Sequence, residues 1–147
     1  MSTAFTIRTG TLDDIFAAHR RVPELDDPKK IADYKKRIAG AYHIALIAED
    51  KGAPIGFKLG YALSAAEFYS WVGGVDPAYR KHGAAQDLLD KQEELVAAAG
   101  YSIIRVKSMN CYPGMLRLLV KNGYRIDGYE ANNGPDDCKI LFCKSPP

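Results

Sequence analysis

The chain holds only three cysteines and one tryptophan in 147 residues. The cysteines, Cys111, Cys138 and Cys143, are odd in number, form no Cys-x-x-Cys pair and have no histidine at ligand spacing. A disulfide framework and a metal site are therefore not expected, and free thiols in a reducing compartment are. No apolar run approaches membrane-spanning length. The first five residues also lack a basic stretch followed by an apolar one. The expectation is a soluble, cytoplasmic protein with no membrane partner. Charge of one sign is missing too. Twenty Lys and Arg against eighteen Asp and Glu leave a net charge of +2, which speaks against a nucleic-acid partner. The longest basic clusters, Lys29-Lys30 and Lys35-Lys36-Arg37, fall within one expected helix and read as its solvated face. Repeats, low-complexity tracts and interdomain linkers are all absent from the sequence.

A hydrophobic content of 47% is ample for one packed core, and the length suits a single domain over residues 1–147. Phe5 to Arg8 alternates like a short strand. Thr11 offers an N-cap to a helix with an acidic first turn, and Pro23 ends that helix. Pro28 suits the first turn of a second helix that Gly40 closes. His43 to Glu49 is almost entirely apolar, as a strand buried on both faces would be. The segment 50–54 reads as a hairpin turn into a strand over Ile55 to Leu63. Glu67 to Val75 reads as an aromatic-rich strand, and Ala84 to Ala99 as a long amphipathic helix. Gly100 stops that helix ahead of a strand over Ser102 to Lys107. Pro113 opens a last helix that ends at Asn122-Gly123. Two strands, Arg125 to Ala131 and Lys139 to Lys144, flank a turn-rich segment. The predicted order is β-α-α-β-β-β-α-β-α-β-β, a mixed α/β or α+β fold.

The passage from the 67–75 strand into the long helix carries the most chemistry. It contains Arg80-x-x-Gly83-x-Ala85, a basic turn whose small residues allow a ligand close to the backbone. Free N–H groups in a helix's first turn, with the positive end of its dipole, suit a phosphate or pyrophosphate. An ordinary strand-to-helix turn with two surface bases fits the same spacing. Gly73-Gly74, near the strand's end, is the kind of pair that marks a bulge or a close backbone approach. By strand parity, side chains 67, 69, 71 and 73 share one face, so Glu67, Tyr69 and Trp71 would line a cleft on that side.

Taken together, Val75-x-Pro77-x-x-Arg80-x-x-Gly83-x-Ala85 and its helix, then Asn110, then Met115 to Tyr124 closing on Asn-Gly-Tyr, resemble the coenzyme A signature of the GNAT superfamily of N-acetyltransferases. The likeness is greatest over residues 67–128 and fits the family's single-domain bacterial type. It implies a GNAT-like fold around a central, mostly antiparallel mixed sheet. The implied activity is acetyl transfer from acetyl-CoA (coenzyme A) to a primary amine of a small molecule or a protein. The alternative is a non-catalytic acyl-CoA-binding sensor or interaction module of the same fold, and a homodimer is left open.

The resemblance assigns the pyrophosphate to backbone N–H groups of Lys81, His82, Gly83, Ala84, Ala85 and Gln86, with charge from Arg80 and Lys81. It assigns the pantetheine arm and the thioester oxygen to amides of Gly73, Gly74 and Val75. Asn110 matches an Asn that contacts the same arm, although a helix cap is an equal reading. Candidates for acid–base work are Tyr69, which could position a water or act through its hydroxyl, and Glu67, which could equally be a solvated strand-end carboxylate. His82 lies within the turn and reads as phosphate-side or solvent-facing. Leu119 stands where many relatives place a Tyr that protonates the departing thiolate, and Tyr112 is the nearest substitute. The implied acceptor walls contain Glu24, Asp26, Asp27, Asp136 and Asp137. These would suit a cationic amine unless Lys29 and Lys30 offset them.

Overall fold

Thr11 and Asp14 begin the first helix as a reciprocal cap. The Asp14 amide donates to Thr11 Oγ1 at 3.3 Å and the Thr11 amide donates to Asp14 Oδ2 at 2.9 Å. The computed structural model describes residues 5–25 and 28–147, and the side chains of residues 28–31 are outside that description. Among the described residues the order is β1 (Thr6–Thr9), α1 (Leu12–His19), α2 (Pro28–Ile38), β2 (His43–Asp50), β3 (Ala53–Ala62), β4 (Glu67–Val75), α3 (Ala84–Ala98), β5 (Ile103–Ser108), α4 (Pro113–Lys121), β6 (Arg125–Glu130) and β7 (Lys139–Lys144). Short 3-10 turns cover Pro23–Leu25 and Pro77–Tyr79. This is the predicted order. The β2–β3 hairpin turns through Lys51 and Gly52, both at positive φ, the geometry a two-residue turn of this hand requires.

The strands form one sheet in the order β1-β2-β3-β4-β5-β7-β6. Every neighbouring pair is antiparallel except β4 with β5, which α3 connects as a crossover. One face packs Ile44, Leu46, Phe68, Ile104, Val106 and Phe142 against Leu88, Leu89 and Val96 of α3 and Leu119 of α4. The other packs Ala45, Ile47, Phe57 and Leu59 against Ile15, Phe16 and Ala18 of α1 and Tyr34 of α2. Both faces of the central strands are thus covered, and β2 reads as an apolar run for that reason.

The β3–β4 register slips by one residue. Leu59 lies opposite Val72 and Tyr61 opposite Tyr69, which leaves Ser70 and Trp71 together across from Gly60. Gly60 makes this close packing possible, since a Cβ there would lie 2.6 Å from the Tyr69 carbonyl oxygen and 2.5 Å from the Phe68 ring. The bulge falls at Ser70–Trp71, while Gly73 marks the other feature such a pair can mark, a close backbone approach. The bulge also resets the parity of the strand, which corrects the expectation that 67, 69, 71 and 73 share one face. Tyr69 and Trp71 face the α2 side, beside Tyr61 and Tyr34. Gly73, paired with Lys58, faces the α3 side, so Tyr69 and Gly73 do not share a face. Gly73 and Gly74 are required by packing. A Cβ on Gly73 would lie 2.9 Å from the Phe57 carbonyl oxygen, and one on Gly74 would lie 2.9 Å from Val22.

Candidate active site

β4 and β5 run together for only four pairs, from Glu67↔Ile103 to Ser70↔Val106. Beyond the bulge β4 pairs with β3 alone, while Lys107 and Ser108 of β5 pair with β7. The two strands therefore part at the bulge. Because alternate amides of a strand point to opposite edges, part of the 71–75 backbone is left facing the gap. The open end is also the end from which the chain reaches the start of α3.

The connecting turn is fixed at both sides. Asp76 Oδ1 accepts from the Ala78 amide at 2.9 Å, and Arg80 Nε donates to the Val75 carbonyl at 3.0 Å. The Arg80 guanidinium also meets the Glu24 carboxylate, so it ties the turn to β4 and to the α1–α2 segment. Lys81 and His82 are exposed. Lys81 has φ +66 and Gly83, the N-cap of α3, has φ +92. A side chain at Gly83 would be strained in that region, and the N-cap makes no side-chain hydrogen bond to α3. The first bond back into the turn is from the Asp87 amide to the Gly83 carbonyl at 3.0 Å. The amides of Ala84, Ala85 and Gln86 are thus the helix's orphan donors. The Gln86 side chain does not serve that end. It exchanges two hydrogen bonds with Asn122, at 2.8 and 2.9 Å, and bridges α3 to the close of α4.

The acid–base candidates separate. Glu67 Oε1 accepts from Arg105 Nε at 2.6 Å, at the closed end of the β4–β5 pair. Its carboxylate is a structural partner there, away from the gap. Tyr69 lies next to the bulge, 5.6 Å ring to ring from Tyr61, with Lys107 Nζ 6.0 Å from its ring centre. Burial first, and then the Tyr61 hydroxyl, push its phenol up to about 12. Tyr112 is the N-cap of α4 and is exposed. Partial burial, then Cys111 and Glu24, raise its phenol. Asn110 neither caps α4 nor has its side-chain amide free. It donates to the Pro135 carbonyl at 2.9 Å and joins the β5–α4 loop to the β6–β7 loop. Leu119 is wholly buried in the core. Of the acidic wall residues, Glu24 is held by Arg80 and Asp137 accepts from the Asn133 amide at 3.4 Å. Asp26 and Asp27 lie outside the described residues.

Several residues at the site were not singled out by the sequence. On the α2 side Trp71 is met by Tyr34 at 4.8 Å, by Tyr61 at 5.6 Å and by the Arg37 guanidinium at 4.8 Å. Together with Tyr69 and Lys107 they make an aromatic floor with a cation at each side. Arg37 had read only as part of a solvated cluster. Its role depends on which strand α2 covers, and periodicity cannot supply that. On the opposite face Lys58 is buried beneath α3. Burial pushes its ammonium down to about 8, with Glu93 opposing. Glu93 is itself held by Lys144 Nζ at 3.0 Å and by the Tyr124 hydroxyl at 2.8 Å. Among the described residues no helix is long and apolar enough to cross a membrane.

Residues 11–124 match the family model described as acetyltransferase (GNAT) family. A comparison with curated proteins finds no match. Among solved structures the fold is shared with Ard1 from Thermoplasma volcanium, at 18% identity and a TM-score of 0.80, covering 97% of this chain and 98% of that one. The ribosomal-protein-S18-alanine N-acetyltransferase from Escherichia coli superposes with a TM-score of 0.81 at 15% identity, covering 97% and 94%. A GNAT family acetyltransferase from Elizabethkingia anophelis, solved with acetyl-CoA bound, gives 0.79 at 16% identity, covering 98% and 99%. With the family model spanning most of the chain and the parted β4–β5 pair set beside an uncapped α3, this chain belongs to the GNAT family of acetyltransferases.

Proposed function

We propose that this chain transfers an acetyl group from acetyl-CoA to a primary amine, on a small molecule or a peptide. The carrying observation is the gap that opens between β4 and β5 beyond Ser70↔Val106, at the same end as the orphan amides of α3. The residues present fit the cofactor. The Ala84, Ala85 and Gln86 amides, behind the small Gly83, suit a pyrophosphate. The amides of 71–75 that face the gap suit the pantetheine arm, and one aimed at the thioester oxygen would contribute roughly 3–4 kcal/mol to the transition state. Acetyl-CoA supplies an activated acyl group on a thiol whose pKa of about 8.5 lets it depart as thiolate.

That leaving group makes a dedicated acid dispensable, in keeping with Leu119 packed in the core where relatives place a Tyr. The amine, with a pKa of about 10 as an ammonium, must shed its proton before attack. Glu67 is held by Arg105, and a phenol near 12 is neutral at working pH. Tyr69 therefore acts by holding a water or the amine with its hydroxyl, and the proton passes to solvent. Arg80 secures the turn, and the positive charge toward phosphate comes from Lys81.

Calorimetric titration with acetyl-CoA, followed by a thiol-release assay over a panel of amines, tests the reading. Binding and turnover are expected, and Gly83→Val should lose binding. Binding without turnover on any amine would favour an acyl-CoA sensor, and absence of binding would remove both readings.

A further inference from the structure

We propose that β6 is a self-association edge, through which two copies of this chain pair antiparallel over Arg125–Glu130. Among the described residues β6 ends the sheet, so one of its edges has no neighbouring strand there. Its residues are exposed apart from the half-buried Gly128. They include two large hydrophobics, Ile126 at 63% and Tyr129 at 61% exposure.

The register against β7 skips Asp127, since Ile126 lies opposite Phe142 and Gly128 opposite Leu141. In an unbroken strand Ile126 and Tyr129, three residues apart, would point to opposite faces. The bulge brings Tyr129, opposite Ile140, back to the face where Ile126 and Phe142 lie. It likewise places Arg125, opposite Cys143, and Glu130, opposite Lys139, on the other face.

A two-fold axis between Asp127 and Gly128 then makes the strand complementary to itself. Ile126 meets Tyr129 of the partner subunit, and Arg125 meets Glu130 of the partner subunit. Directly opposed residues of an antiparallel pair must share a face, and both pairs satisfy this only because of the bulge. Apolar–aromatic and opposite-charge pairs are those that stabilise neighbouring strands. A bulge on a lone edge discourages pairing, but here the two bulges meet at the axis and interrupt the ladder at one point. Glu130 already holds Lys107 at 3.2 Å and remains half exposed, which leaves an oxygen face for a second cation.

Sedimentation across a concentration series tests this on the full chain, with circular dichroism confirming that each variant is folded. The wild type should show a concentration-dependent dimer. Ile126→Asp should weaken it more than about a hundredfold. Arg125→Glu and Glu130→Arg should each weaken it about tenfold, because like charges then face each other twice across the axis. Mixing those two single variants should restore association, since every facing pair is again opposite in sign. A wild type that stays monomeric at all concentrations overturns the proposal. So does a dimer indifferent to both charge changes, or two single variants that fail to associate when mixed.

Discussion

Two buried or half-buried side chains concentrate the electrostatic consequences at the residue scale. Lys58 has its ammonium pushed down to about 8 from an ordinary value of 10.5. Between those two pH values the unfolded chain binds more protons than the folded one, so stability rises with pH through the window. Below about 8 the fold carries a buried cation. Replacing Lys58 with Met removes that charge, while Glu93 keeps Lys144 and Tyr124 as partners. The variant should be more stable than wild type at pH 7, by roughly 1–3 kcal/mol, and the difference should shrink as pH approaches 10. Urea unfolding across that range checks both the sign and the window. Tyr69 leads to a different kind of expectation. Because burial holds its phenol near 12, Tyr69→Phe should lower the rate about tenfold, the weight of one positioned hydrogen bond. The shape of the pH–rate curve below 10 should not change, and coenzyme affinity should be kept. Glu67→Gln, by contrast, should leave the rate alone and cost under about 1 kcal/mol through its half-exposed bond to Arg105.

At the scale of elements, the bulge in β4 decides where the site is, and a glycine on another strand makes room for it. Gly60→Ala should destabilise the fold by roughly 1–3 kcal/mol, because the added Cβ meets a backbone carbonyl that cannot swing away. It should also weaken coenzyme binding by disturbing the parting of β4 from β5. Thermal melts and calorimetry read the two effects separately. The same dependence explains what could be read beforehand. Helix starts and stops, such as Thr11 with Asp14 or Gly123 after α4, are written within a few residues of where they act and were legible. So were the β2–β3 turn and the Arg80 to Ala85 stretch. The bulge was not, because it depends on Gly60 packing against Phe68 and Tyr69, and parity counted along β4 alone ran straight through it. The pairing of Glu67 was hidden for a similar reason. Its partner Arg105 lies 38 residues away, on a strand that becomes a neighbour only once α3 has crossed over. Leu119 could be read by position, but only its complete burial shows that Leu119→Tyr would overpack the core and would not restore an acid.

For the whole molecule, the sheet consists of two antiparallel groups, β1 to β4 and β5-β7-β6, that touch along a four-pair parallel junction. A ligand seated in the gap contacts both groups, so acetyl-CoA should raise the unfolding free energy by about 2.7 kcal/mol at a hundred times its dissociation constant. A denaturant titration with and without the ligand measures this. The short junction has a kinetic counterpart. Backbone hydrogens at Ile103 to Val106 that bond across to β4 are held by few neighbours and should exchange with solvent through a partial opening well below the energy of complete unfolding. Those that bond to β7 should wait for the global event. The fold would then carry a built-in seam, on which one amide in two reports whether the halves of the sheet are clasped.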